Sequence, residues 1–403
     1  MISNFILIIM TKKNCYNILF IICSIFFYIN CSNNKSSTTI MVPQEKYIPN
    51  HNFKNTIIVS RRNSFSKSSI KNRSLKTLYN YLKNQSKYST KKLNIISNVN
   101  QIISLSNNWF LILDKFDNKL IEYNILTDSL IHIAGFGRGP GELNFSKDMV
   151  KDGNNIYVAQ NMQVSHFNCL KVPCKYSSAT ELTNMPYSLD VNEDSLIYLS
   201  SKIVKGIKGP KLDKSLNDLK ALHMLNLING KDLGYFGDTY KINGQWMLIK
   251  PLISNGFVRF IPKSKSTLLA FKRFPLIYIY NNNHKLSKVY KLSNFITGKQ
   301  KYNTISGSLH AVMKNYSLIK NIIILNNMII IKTLTVKNEH ISNHHYVSDS
   351  RLYDFYVINI NNNKNYHIGE LVLDKKDPYE NIFYTKKNIF IYNNGSLFTV
   401  NKW

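Results

Sequence analysis

The chain has 403 residues, 44% of them apolar and 12% aromatic, with 52 Lys and Arg against 23 Asp and Glu and a formal charge of +29. Its 25 Tyr and 21 Phe, with few Ala, exclude an architecture of long Ala/Leu/Glu helices and favour strands. The surplus charge raises nucleic acid or an anionic surface as partner, but Lys, Asn, Ile and Tyr are enriched together, as AT-rich codons would make them; it is read as base composition plus solvation, and no nucleic-acid partner is expected.

In chain order, a basic start at Lys12 and Lys13 is followed by an apolar run from Ile18 to Ile29 and then Cys31. This is the pattern of a secretory signal over residues 1–30, and the run is shorter than the roughly 20 residues needed to span a bilayer. Met10 makes a better start than Met1, because "ISNFILII" puts apolar residues ahead of the charges. The segment resembles a bacterial lipoprotein signal, in which a cysteine becomes the lipidated first mature residue; Cys31 fits, although Tyr28 and Asn30 depart from the usual residues. The resemblance implies a membrane anchor through lipid on Cys31, and Ser32 rather than Asp after it implies the outer membrane, facing the periplasm. The competing reading is ordinary cleavage and a soluble secreted protein.

Residues 31–92 read as a polar, basic tether, with no acidic residue between Glu45 and Asp114. Cys15, Cys23 and Cys31 lie in the signal region, which leaves Cys169 and Cys174 in the mature body. Four residues, "LKVP", separate them, a spacing suited to a disulfide across a hairpin in an oxidising compartment.

Residues 93–403 are repetitive. One apolar strand recurs as "WFLIL" (109–113), "IYVA" (156–159), "LIYLS" (196–200), "LLAF" (268–271), "MIIIK" (328–332) and "IFIYN" (389–393). A second strand ends in a bulky residue and Asn, at Tyr123-Asn124, Phe167-Asn168, Leu225-Asn226, Tyr280-Asn281 and Ile358-Asn359, and opens a polar turn. The pattern predicts an all-β, six-bladed β-propeller of four-stranded antiparallel blades. Because the last copy stops at the chain end, an N-terminal strand, 55–60 or 92–97, is expected to close the ring.

The stretch "HIAGFGRGPGEL" (132–143) holds Gly135, Gly137, Arg138, Gly139, Pro140, Gly141 and Glu142. A dinucleotide-binding loop needs a third glycine where Pro140 stands, followed by a helix, and no GK[ST] is present for a Walker loop. Alternate glycines with a proline fit a tight crossover between blades. This run, with "KLIEYNILTDSLIHIAG" before it and "DMVKDGNNIYVAQN" after it, resembles the bacterial six-bladed β-propeller lipoproteins, relatives of the NHL-repeat and TolB-like propellers. Gln160 stands where that family has Asp. The resemblance implies a fold and a location and brings no catalytic residues.

His340, His344 and His345 form the weak candidate for metal ligation, and a solvated loop is the competing reading. No G-x-S-x-G elbow occurs. The expectation is a monomeric, membrane-anchored binding or scaffold module without cofactor, holding an envelope protein, peptide or glycan on one propeller face. The alternative is a propeller hydrolase or lyase with a metal in the central channel.

Overall fold

The computed structural model describes residues 38–41, 56–61, 79–80, 89–93, 99–192, 194–200, 220–238, 255–297, 299–305, 308–312, 315–325, 327–337, 340–342, 345–347, 350–373, 381–384, 389–393 and 396–401. Cys31 and the signal segment lie outside them.

The chain divides into two units. The smaller comprises Met1–Met41 and Lys299–Met313 and contains a three-stranded sheet of β1 (Thr38–Met41) with two strands of the 299–313 segment. The larger holds the remaining sheets and is a β-propeller. Its strands before the repeats are β2 (Ile57–Val59) and β3 (Ser89–Leu93).

The first sheet is β4 (Val99–Ser104), β5 (Trp109–Asp114), β6 (Lys119–Asn124) and β7 (Ser129–Ala134). The second is β8 (Asp148–Asp152), β9 (Asn155–Gln160), β10 (Gln163–Asn168) and β11 (Lys175–Glu181). The third is β12 (Ser188–Asn192), β13 (Ser195–Leu199), β14 (Lys220–Asn226) and β15 (Asp232–Asp238). Next come β16 (Gly256–Ile261), β17 (Ser266–Phe271), β18 (Leu276–Tyr280) and β19 (Leu286–Leu292). Strands β20 (Lys299–Ile305) and β21 (Ser308–Val312) belong to the smaller unit.

The chain then forms β22 (Asn315–Leu325) and β23 (Met328–Lys337), a hairpin of β24 (His340–Ser342) and β25 (His345–Val347), and β26 (Ser350–Asn359) and β27 (Asn365–Leu373). It ends in β28 (Asn381–Tyr384), β29 (Ile389–Asn393) and β30 (Ser396–Asn401).

Neighbouring strands within each repeat are antiparallel. The expected six four-stranded blades are corrected to five among the described residues. The sheet built on β16–β19 has five strands, because β2 adds in parallel beside β19. The second candidate closing segment also shifts: Ser89–Leu93 runs antiparallel to β30 and gives the last sheet its fourth strand.

Burial explains the strand patterns. Second strands such as β5 and β9 are buried at nearly every position, because both of their faces meet a neighbouring sheet. Leu111 and Leu113 pack with Met149, Ile156 and Val158 of the next sheet, and Val150 and Tyr157 with Leu189 and Tyr198 of the one after. Phe390 of β29 meets Phe110 of β5 edge to face at 4.9 Å, joining the last repeat to the first. The outer strand β11, "KYSSATE", is exposed almost throughout, and its Lys and Ser suit an edge.

The recurring Asn also has a defined task. The Oδ1 of Asn124 accepts from the amides of Leu126 (2.9 Å) and Thr127 (3.2 Å), and Asn226, Asn281 and Asn359 receive turn amides in the same way. Each opens the hairpin into its sheet's outer strand with an Asx turn.

Candidate functional site

The first strands β4, β8, β12, β16 and β22 lie side by side in that order, and β28 lies beside β4, so their polar faces look onto a common channel. Two cavities follow one another along it. One of about 170 Å³ sits at the N-terminal ends of these strands, and one of about 1170 Å³ at their C-terminal ends. Gln101, Arg259 and Asn321 line both and form the waist between them.

The small chamber is lined by Lys115, Lys147, Lys272, Lys320 and Lys332, contributed by four different sheets. Lys115 and Lys272 are the residues that directly follow the apolar second strands β5 and β17. Lys332 follows the apolar run 328–331 within β23 and is buried. Lys147 is the last residue before β8.

Lys320 is delivered by a bulge: β22 pairs Ile319 with Thr333 and Asn321 with Lys332, leaving Lys320 unmatched. Asn100 is skipped in the same manner in β4 and also lines the chamber. Bulges re-aim side chains at such positions. At Gly256, on the chamber wall, an added Cβ would stand 2.3 Å from the carbonyl oxygen of Ala270, so only glycine fits this approach of β16 to β17.

The electrostatics are lopsided. Burial, then repulsion from Lys115 and Lys320, pushes the Lys272 amine down to about 7. Burial and then Lys320 hold Lys332 well below the usual lysine range, and burial followed by Arg351 and Lys115 lowers Lys320. Lys272 lies over the Phe257 ring at 5.6 Å and Lys332 over Tyr353 at 5.1 Å.

The carboxylate on the chamber wall, Asp148, is already engaged. Arg259 Nη1 donates to it at 2.9 Å and Ser188 Oγ at 2.5 Å. Arg259 also donates to the carbonyls of Val258 (2.7 Å), Ile322 (3.2 Å) and Leu189 (3.3 Å). Gln101 brackets Met149, accepting from its amide at 2.9 Å and donating to its carbonyl at 2.5 Å. Asp190 accepts from Phe260 N at 2.7 Å, and burial pushes its carboxyl up to about 6 against the pull of Arg259. These contacts form a hydrogen-bonded belt at the waist that ties the first strands of five neighbouring sheets.

The glycine-rich segment lies between β7 and β8. Gly137 N donates to Leu143 O at 3.0 Å, Leu143 N to Gly135 O at 2.8 Å, and Glu142 Oε2 accepts from Gly139 N at 2.7 Å. Gln160, fully buried, accepts from Asn144 N at 2.6 Å and donates to Ser165 Oγ at 2.5 Å and Glu142 O at 3.3 Å. A side-chain amide can do both, which a carboxylate cannot. The segment thus carries the chain back to the channel, where Lys147 enters the chamber.

Cys169 and Cys174 are joined by a disulfide in the turn between β10 and β11, with Cα atoms 4.2 Å apart. Buried Glu122 of β6 accepts from Cys174 N at 2.6 Å, and burial raises its carboxyl. Glu122 and the two sulfurs lie close together, but the disulfide leaves no thiolate for a metal, and the three lie away from the lining of the small chamber. His340 and His345 fall on the paired strands β24 and β25, opposite Val347 and Ser342, and His344 lies outside the described residues. Sequence reasoning singled out none of the five chamber lysines.

No protein-family model matches the chain, and no curated protein matches its sequence. Solved structures do share the fold. A member of the DUF4221 family from Bacteroides vulgatus superposes with a TM-score of 0.52 at 10% identity, over 79% of this chain and 99% of that one. A protein of Bacteroides fragilis described as exported gives 0.50 at 12% identity, over 86% and 99%. A streptogramin B lyase gives 0.42 at 11% identity, over 78% and 97%. At these identities the likeness is one of fold alone. Among the described residues no helix is long and apolar enough to cross a membrane.

Proposed function

We propose that this chain is a binding module of the cell envelope, anchored through lipid on Cys31 at the outer membrane, that uses the lysine-lined end of its channel to hold the acidic part of a protein, peptide or glycan. The observation behind the reading is the chamber itself: five lysines converge from four sheets, and the carboxylate beside them is taken up by Arg259 and Ser188. A concave site with convergent charge of one sign recruits the opposite sign.

Within this chamber the carboxylate a divalent cation would use, Asp148, is taken up by Arg259 and Ser188, so the chamber gives a metal for hydrolase or lyase chemistry no support there. The leader and Cys31 support the location through their sequence pattern alone.

Calorimetric titration with an acidic glycan (polygalacturonate) and an acidic peptide (oligoglutamate) tests the reading. Binding of at least one is expected, weakened at least tenfold by Lys272→Met/Lys320→Met and by rising salt. Binding that the double variant leaves intact, or no binding of either acid or of any other anion, overturns it.

A further inference from the structure

The chamber's size narrows what enters it. A cavity of about 170 Å³ accommodates one compact charged group with waters around it. Two exposed rings adjoin chamber lysines: Phe116 follows Lys115 directly and is 77% exposed, and Phe145, 57% exposed, lies under Lys147 at 5.9 Å.

The charges narrow it further. Lys272 faces Lys115, Lys320, Arg273 and Asp148; Lys320 faces Arg351 and Lys115; Lys332 faces Lys320; and Lys115 faces Lys147 and Asp148. Asp148 is committed to Arg259, which meets it through both Nη1 and Nη2 and donates from Nη1 and Nε to backbone carbonyls. Several ammonium groups crowded around one small space repel one another, and an anion carrying more charge relieves that repulsion more than a singly charged one. A compact group with two or more charges and several acceptor oxygens relieves several together, and a tetrahedral oxyanion offers oxygens in every direction from which the lysines come.

We propose that the chamber binds a multiply charged oxyanion, a sulfo or phosphoryl group, and that protons enter the protein together with it. This rests on the reading of the chamber as the ligand site and specifies its ligand. Lysine amines left uncharged in the empty chamber regain their protons when the anion arrives, so affinity falls as pH rises above neutral. The slope is about tenfold per pH unit for each proton taken up.

Sulfate is the discriminating probe, because it keeps both charges throughout and any pH dependence belongs to the protein. Titration calorimetry of the full chain with sulfate from pH 6.5 to 9, in Hepes and in Tris, should show affinity falling by tenfold or more and an enthalpy that differs between the buffers. Inorganic phosphate and pyrophosphate are compared with N-acetylglucosamine 6-sulfate and glucose 6-phosphate. Tighter binding of the esters assigns the group to a glycan carrier, and tighter binding of the inorganic ions to a free anion, either agreeing with the proposal.

Lys272→Met, checked for its fold by circular dichroism, should weaken sulfate and flatten the pH profile, whereas exposed Lys231→Met should do neither. Sulfate binding that is independent of pH and buffer overturns the proton uptake and leaves the chamber as the site. Failure of every oxyanion, with oligoglutamate or polygalacturonate still binding and lost in the lysine variants, overturns the ligand class alone. Failure of all of them overturns both.

Discussion

Asp148→Asn tests the belt below the chamber. The Asp148 and Arg259 side chains are 8% and 10% exposed and 2.9 Å apart, a buried pair by any measure. Removing one partner of such a pair costs about 3–5 kcal/mol, because the other charge stays behind uncompensated. In Asp148→Asn the guanidinium keeps the carbonyls of Val258, Ile322 and Leu189 but gains the full repulsion of the chamber lysines, which places the loss near 5 kcal/mol, the upper end of the range for breaking such a pair. In Arg259→Met the carboxylate keeps Ser188 Oγ at 2.5 Å and Leu189 N at 3.2 Å, so the loss lies nearer about 3 kcal/mol, the lower end of that range. For a chain of this size 1 kcal/mol moves Tm by about 2 °C, so thermal unfolding followed by circular dichroism should show shifts of roughly 10 and 6 °C. The double variant Arg259→Met/Asp148→Leu, which removes both charges, should recover much of the loss. Single-variant shifts of 1 °C or less, or a double variant whose loss is the sum of the two, would refute the reasoning.

Two further outcomes follow from residues next to this region. Lys272 is protonated to about pH 10 in the unfolded chain but only to about 7 in the folded one. The unfolded state therefore binds more protons across that window, and this group makes stability rise with pH between roughly 7 and 10. Lys272→Met should abolish that rise and stabilise the anion-free protein at pH 7 and below, as seen in urea melts at a series of pH values; an unchanged profile contradicts it. Gly141 sits at φ +80° with Tyr176 Cβ 3.2 Å from where its own Cβ would stand, whereas Gly153, at φ +55°, has open space there. Gly141→Ala should cost about 1–2 kcal/mol and Gly153→Ala about 1 or less in the same urea assay, and equal losses would dismiss the Tyr176 contact.

The parts of the fold legible in the sequence are those with a local signature. The second strands read as Ile- and Leu-rich runs because both faces are buried, and the Asn after each third strand reads because its side chain makes the turn. The first strands escaped notice. "DMVKD" and "SLDVN" are short, and β4 and β22 carry bulges, so facing channel water on one side leaves no clean alternation. Since the first strands and the turns beside them carry the site, the site escaped too, and five lysines do not stand out among 52 basic residues. The parallel addition of Ile57–Val59 beside β19 joins segments more than two hundred residues apart and has no local trace at all. Gln160 read as a departure from a family pattern, but its meaning appears only once Asn144, Ser165 and Glu142 are seen around it.

The arrangement along the channel explains how the chain tolerates its lysines. Ammonium groups crowded at one end weaken the folded state, as the lowered positions of Lys115, Lys272, Lys320 and Lys332 register. Such strain persists only where the surroundings hold the geometry by other means. Here the next layer does so: Gln101, Asp148, Asp190 and Arg259 bond across sheet boundaries to backbone amides and carbonyls, each tie joining first strands that the lysines would push apart. Stabilising the belt and discharging the lysines should therefore be interchangeable. An anion in the chamber should lessen the damage done by Asp148→Asn, because it supplies the negative charge that the variant lacks. If saturating sulfate raises the Tm of Asp148→Asn more than that of the unaltered chain, belt and chamber are one electrostatic system; if the two rise equally, the belt is scaffold only.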